Sequence, residues 1–191
     1  VELSLNHQGA PVLAGLGRAD LQTRMLEVEE LVLSPDGYDR WMLGAPASLQ
    51  WHEDGVTDVV LEMSSSTGMV SVQGEARLNG RVDGRGVVEG LELDWLNSLF
   101  ELPGWRGVLD ADLRLSGSTD ALLLDARLEG ERVVIPGMLG GANLEVALHT
   151  PRPGLLEAVM EGSHGGTQVA RFDGVFPVGM GVNENAVQAG E

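Results

Sequence analysis

The pentapeptide "WHEDG" (51–55) sets three groups able to hold a metal ion or move a proton side by side: His52, Glu53 and Asp54. Metal ligation and acid–base catalysis both need such groups to converge on one point. Consecutive residues diverge instead, and Gly55 is turn chemistry, so a solvated hairpin tip is the simpler reading. His164 lies in the glycine-rich "GSHGGT", which lacks the lysine of a phosphate loop. "DGRG" (83–86) has too few carboxylates for a calcium loop. His7 and His149 stand alone, and Ser64–Ser66 has no histidine beside it in sequence to activate a nucleophile. The chain has no cysteine, which excludes disulfides, thiolate nucleophiles and Cys-ligated zinc. No enzyme, cofactor or metal site is expected from these residues.

Charge narrows the partners. The 191 residues carry a formal net charge of -17, and all 12 basic residues are Arg. Nucleic acid is excluded as a partner, because neutralising phosphates takes clustered cations. Anionic headgroup surfaces are disfavoured for the same reason. No apolar run approaches the roughly 20 residues that span a bilayer as a helix. The chain opens in mid-strand at Val1, without an initiator Met, and is expected to be a piece of a longer protein.

What must position any site is a set of strands, because the dominant pattern is period two. Val1, Leu3 and Leu5 alternate with Glu2, Ser4 and Asn6, and Ala19, Leu21 and Thr23 with Arg18, Asp20, Gln22 and Arg24. In "LEVEELVL" the phase slips between Leu26/Val28 and Leu31/Leu33, which predicts a β-bulge near Glu29–Glu30. "SPDG" (34–37), "HEDG" (52–55), "SSSTG" (64–68) and "TPRPG" (150–154) are turn signals. Between them lie Ala47–Trp51, Val59–Met63 and Val70–Leu78, then a bent strand pair expected around Asp83–Gly84. Leu91, Leu93 and Trp95 follow. "WLNSLFELPGW" (95–105) breaks the alternation, and Leu96, Leu99 and Phe100 predict one helical turn ended by Pro103. Beyond it come "GVLDADLRLSGSTDALLLDARLEG" (107–130), Val133 and Ile135, Leu144–Leu148, Leu156–Met160, and Ala170 with Phe172. In the 107–130 hairpin, a tight register would set Arg114 near Asp125 and Asp112 near Arg127.

Strands at this spacing, alternating rather than uniformly apolar, predict an all-β, antiparallel domain with one dry and one wet face. Residues 1–176 form a single segment, and 177–191 a polar tail that frays. The dry face needs a cover, since burying each Val or Leu is worth roughly 1.5–3 kcal/mol. No long amphipathic helix is available to supply it. The residue pattern leaves a closed β-sandwich core and a face that holds an apolar ligand both open. Trp41, Trp51, Trp95 and Trp105 suit either packing or the rim of such a face.

The stretch "GVLDADLRLSGSTDALLLDARLEGERVVIPGMLGGANLEVAL" (107–148) resembles the repeating segment of the TamB family, within the AsmA-like group of bacterial envelope proteins. The likeness lies in Gly107, an alternating strand, the small turn Ser116–Gly117–Ser118, a second strand ending at Gly130, and a further β pair. "MVSVQGEARLNGRVDGRGVVEGLELDWLNSLFELPGWRG" (69–107) is similar to the stretch that precedes it, and "LEVEELVLSPDG" to strand-and-turn units of the wider group. The proline often found after the SG turn is absent here.

This resemblance implies an elongated sheet curled into a taco-like groove, in a periplasmic rod anchored to the inner membrane by a segment outside this chain. The groove's apolar concave face would conduct phospholipid acyl chains between the two membranes, without covalent chemistry. Its partners would be lipid and neighbouring groove segments of the same chain. An alternative within the family is an assembly factor for outer-membrane β-barrels that works with a BamA-like protein. The lipid-facing wall would then comprise Val70, Val72, Ala76 and Leu78; Leu91 and Leu93; Leu109, Ala111, Leu113 and Leu115; Leu122, Leu124, Ala126 and Leu128; and Leu144, Val146 and Leu148.

Overall fold

The computed structural model describes residues 2–7, 10–34, 38–78, 80–95, 104–137 and 141–177. Period-two alternation emerges as thirteen strands: β1 (Glu2–His7), β2 (Ala10–Asp20), β3 (Met25–Leu33), β4 (Trp41–Leu43), β5 (Ala47–His52), β6 (Gly55–Ser64), β7 (Met69–Arg77), β8 (Arg81–Glu92), β9 (Arg106–Ser118), β10 (Ala121–Val134), β11 (Ala142–Arg152), β12 (Leu155–His164) and β13 (Thr167–Pro177). All belong to one sheet, in sequence order. Every pairing is antiparallel. β4 and β5 lie end to end between β3 and β6, as two halves of one interrupted lane. A β-sandwich needs two sheets, and this is one. Among the described residues no side chain is less than 2% exposed, so no second layer seals the sheet.

β-Bulges decide which way the side chains face. In β3, Leu16 pairs with Glu30 and Gly17 with Val28, so Glu29 is the extra residue, as the phase slip predicts. The same device recurs between Val56 and Val59 in β6, Val88 and Leu91 in β8, and Gly130 and Val133 in β10. Each pair of apolar residues has the wrong spacing for one face of a regular strand, and the inserted residue restores it. Asp58, Gly90 and Arg132 take the positive φ that three of these bulges demand. Two of the displaced backbone N–H groups donate to side chains on the next strand: Gly90 to Asp110 Oδ1 (2.7 Å) and Arg132 to Asn143 Oδ1 (3.1 Å). A backbone donor left over by the ladder is thereby satisfied.

The structure differs from the sequence reading in several places. Leu21 and Thr23 are in the β2–β3 turn, where Leu21 is 80% exposed. Leu78 lies just past β7 and is 63% exposed, so it does not join the wall expected of it. Asp83–Gly84 is no bend, but the interior of the single 12-residue strand β8. Val133 belongs to β10 rather than to a new strand, and Thr150–Arg152 to β11, which narrows the expected 150–154 turn. Leu93 sits in a helical turn, Leu93–Trp95, that begins two residues before the predicted one. Pro35–Gly37, Leu96, Leu99, Phe100, Pro103 and residues 178–191 lie outside the described residues.

Candidate apolar binding face

Residues paired across an antiparallel ladder share a face, so the registers assemble a surface strand by strand. One row runs Leu43–Met63–Val70–Val88–Ala111–Leu128–Val146–Met160–Phe172, across nine strands without a polar member. A second runs Leu61–Val72–Gly86–Leu113–Ala126–Leu148–Ala158–Gly174. Flanking these are Leu91 with Leu109, Leu115 with Leu124, and Ala76 with Val82, Gly117 and Leu122. Apart from Leu78 and Leu93, all the expected wall residues therefore occupy one face. Met63, Val88, Met160 and Phe172 belong to the same face and were missed. Their alternation carried the same signal; Met63, Met160 and Phe172 lie in strands where the resemblance is weaker, and Val88 in a glycine-rich stretch.

Large and small side chains interleave along these rows. Ala111, Ala126 and Ala158 are buried between larger neighbours, whereas Leu109, Leu113, Leu115, Leu124, Leu128, Leu144, Val146 and Leu148 are only half-buried. The larger residues cover the smaller and, apart from the buried Val82 and Val133, little of the described chain covers the larger.

One end is an exception. Trp41, Met63 and Leu91 are buried together, with Leu33, Leu43, Leu61, Val70, Val88, Trp95 and Leu109 packed against them. The turn at Leu93–Trp95 places the Trp95 ring 5.5 Å from that of Trp41. Trp41 thus serves packing; Trp51, Trp95 and Trp105 are half-buried.

The opposite face is charged. The hairpin register sets Arg114 opposite Asp125 and Arg127 opposite Asp112, as expected. The ion pairs run elsewhere. Asp112 meets Arg85 at 2.7 Å, Arg127 reaches Glu129 at 2.8 Å, and Asp125 bonds His149. All are exposed, so each contributes less than about 1 kcal/mol. Two carboxylates sit below their ordinary values: Asp20 accepts backbone hydrogen bonds from Gln22 and Thr23, and Asp173 accepts side-chain hydrogen bonds from the Arg171 guanidinium.

The candidate chemical groups do not converge. His52 Nε2 lies 2.9 Å from the Thr57 hydroxyl, Glu53 pairs with Arg24, and Asp54 with Arg77. His164 Nδ1 lies 2.8 Å from the Gly141 carbonyl oxygen, while Ser65 Oγ accepts the Thr67 and Gly68 N–H groups to close a turn. Among the described residues, no three His, Asp or Glu side chains are placed to hold a metal ion. The architecture defined by these observations is an antiparallel meander with one continuous apolar face. No family model, curated protein or solved structure matches the chain.

Proposed function

We propose that the chain is a groove segment of a TamB-like bacterial envelope protein, whose apolar face carries phospholipid acyl chains through the periplasm between inner and outer membranes. A membrane anchor and neighbouring segments would belong to the longer protein, and no covalent chemistry is involved. The observation that carries this reading is the unbroken nine-strand apolar row, whose large side chains, Met63 apart, are half-exposed or exposed. Completing the burial of about a dozen such residues is worth on the order of 10 kcal/mol before entropic costs. A flexible aliphatic occupant recovers that free energy without needing a fixed shape. The bulges support a curled sheet, because a bulge bends its strand and sharpens the right-handed twist. A net charge of -17 on the chain, expressed on the other face, keeps the rod soluble.

The assembly-factor reading, with nascent β-strands and a BamA-like partner, uses the sheet's edges rather than its face. A photo-crosslinking residue at Leu113 or Leu124 separates the two. Lipid is the expected adduct, and capture would persist in the Asp112→Leu variant, whose change is on the charged face. Adducts to protein alone would reject the conduit in favour of assembly.

A further inference from the structure

The apolar row that crosses nine strands is not uniform along its length. Its first members, Leu43, Met63, Val70 and Val88, all belong to the Trp41 cluster. Its last two, Met160 and Phe172, are 36% and 45% exposed. The row is therefore covered at β4–β8 and open at β10–β13. Among the described residues, every member of the cluster but one lies in a strand of the sheet, and the exception is Trp95. A strand cannot lie over the face to which it contributes, so Trp95 is the cover.

Trp95 lies in the turn Leu93–Trp95, and its ring meets that of Trp41 at 5.5 Å with a tilt of 45°. Trp41 is 3% exposed, whereas Trp95 is only half-buried, as a ring lying on the outside of a cluster should be. We propose that Trp95 is a displaceable cap. It closes the β4–β8 stretch of the apolar face while that stretch is empty, and it gives way to an acyl chain advancing from β10–β13. This rests on the lipid reading above.

The exchange is close to balanced. Hydrophobic contact is non-directional and roughly proportional to the area taken from water, so an aliphatic chain recovers what the indole gives up. The strands beneath keep their ladder pairing in either state. The occupant then rests on the open half of the face, and its passage towards β4 requires the cap to move.

Photo-crosslinking in the intact chain, with vesicles of phosphatidylethanolamine and phosphatidylglycerol, tests this. Val70 and Leu128 belong to one row, the first within the capped cluster and the second in the open half. A crosslinking residue at Leu128 should capture lipid freely. One at Val70 should capture roughly tenfold less, since a site open in a minor fraction of molecules binds in proportion to that fraction. Trp95→Ala should raise capture at Val70 to the Leu128 level and leave Leu128 unchanged, whereas Trp95→Phe, which keeps a ring, should stay near the wild type. A crosslinking aromatic residue in place of Trp95 should label the Trp41 strand without vesicles and lipid with them. Equal capture at Val70 and Leu128 with Trp95 intact, or a Val70 yield indifferent to Trp95→Ala, would overturn the cap. So would capture lost at Leu128 in Trp95→Ala, because Trp95 would then be holding the sheet together rather than covering it. Absence of lipid at Leu128 in every form would instead sink the lipid reading, and the cap with it.

Discussion

Gly90→Val is expected to lower the unfolding free energy by more than about 3 kcal/mol, read as a fall in the urea midpoint. Gly90 has φ +64°, a region costing an L-residue roughly 1–2 kcal/mol and a β-branched one more. Space adds to this. A Cβ at this position would lie 2.2 Å from the Thr67 carbonyl oxygen, which is backbone and has little room to move. The bulge also holds Val88 and Leu91 on one face, with the Gly90 N–H donated to Asp110. Shifting it would rotate Leu91 away from Trp41 and Met63, so a steric fault becomes a packing fault. Gly84→Ala in the same strand is the comparison. There a Cβ meets nothing nearer than 3.8 Å, and no loss is expected, since removing glycine from a strand restricts the unfolded chain.

Trp41→Ala should cost about 3–5 kcal/mol, the usual range for emptying a buried tryptophan site. For a domain of this length that is a fall of roughly 6–20 °C in thermal midpoint. Trp41 is 3% exposed and is the largest side chain of the one cluster where the apolar face is covered. Its loss would leave Met63, Leu91 and Trp95 around a cavity. Leu128→Ala removes a residue of the same face that is half-buried, and about 1 kcal/mol is expected there. Equal losses at the two positions would mean that the face is covered along its whole length.

Much of this architecture is legible in the sequence because period two is a local signal. The hairpin at 107–130 has the register that its alternating Leu and charged residues imply. The slip in "LEVEELVL" locates the bulge at Glu29. The same slip occurs in "GVTDVV", "VVEGLEL" and "LEGERVV", but there the inserted Asp, Gly or Arg resembles the end of one strand and the start of another. That is why Val133 was assigned to a strand of its own. Leu21 and Leu78 differ for the converse reason: alternation continues past the last paired residues of β2 and β7 into the turn.

Ion pairing was less accessible. Asp112 chooses Arg85 on β8 over Arg127 on β10, and hairpin periodicity specifies only one of a strand's two neighbours. The cover of the apolar face is harder still. The ordering Leu43 to Phe172 across nine strands is a property of the registers, and no single strand contains it.

The central claim is that this face is open to an apolar occupant rather than sealed as a core, and the melting temperature of Leu113→Asp tests it most directly. Leu113 is half-buried in the second apolar row. On an open face the carboxylate keeps its water, so the loss is about 1–2 kcal/mol, a fall of roughly 2–8 °C with the sheet intact. In a sealed core the same carboxylate would be stripped of water and unpaired, at a cost of several kcal/mol. A folded protein with a slightly lowered midpoint is the predicted result; a chain that no longer folds would contradict the account.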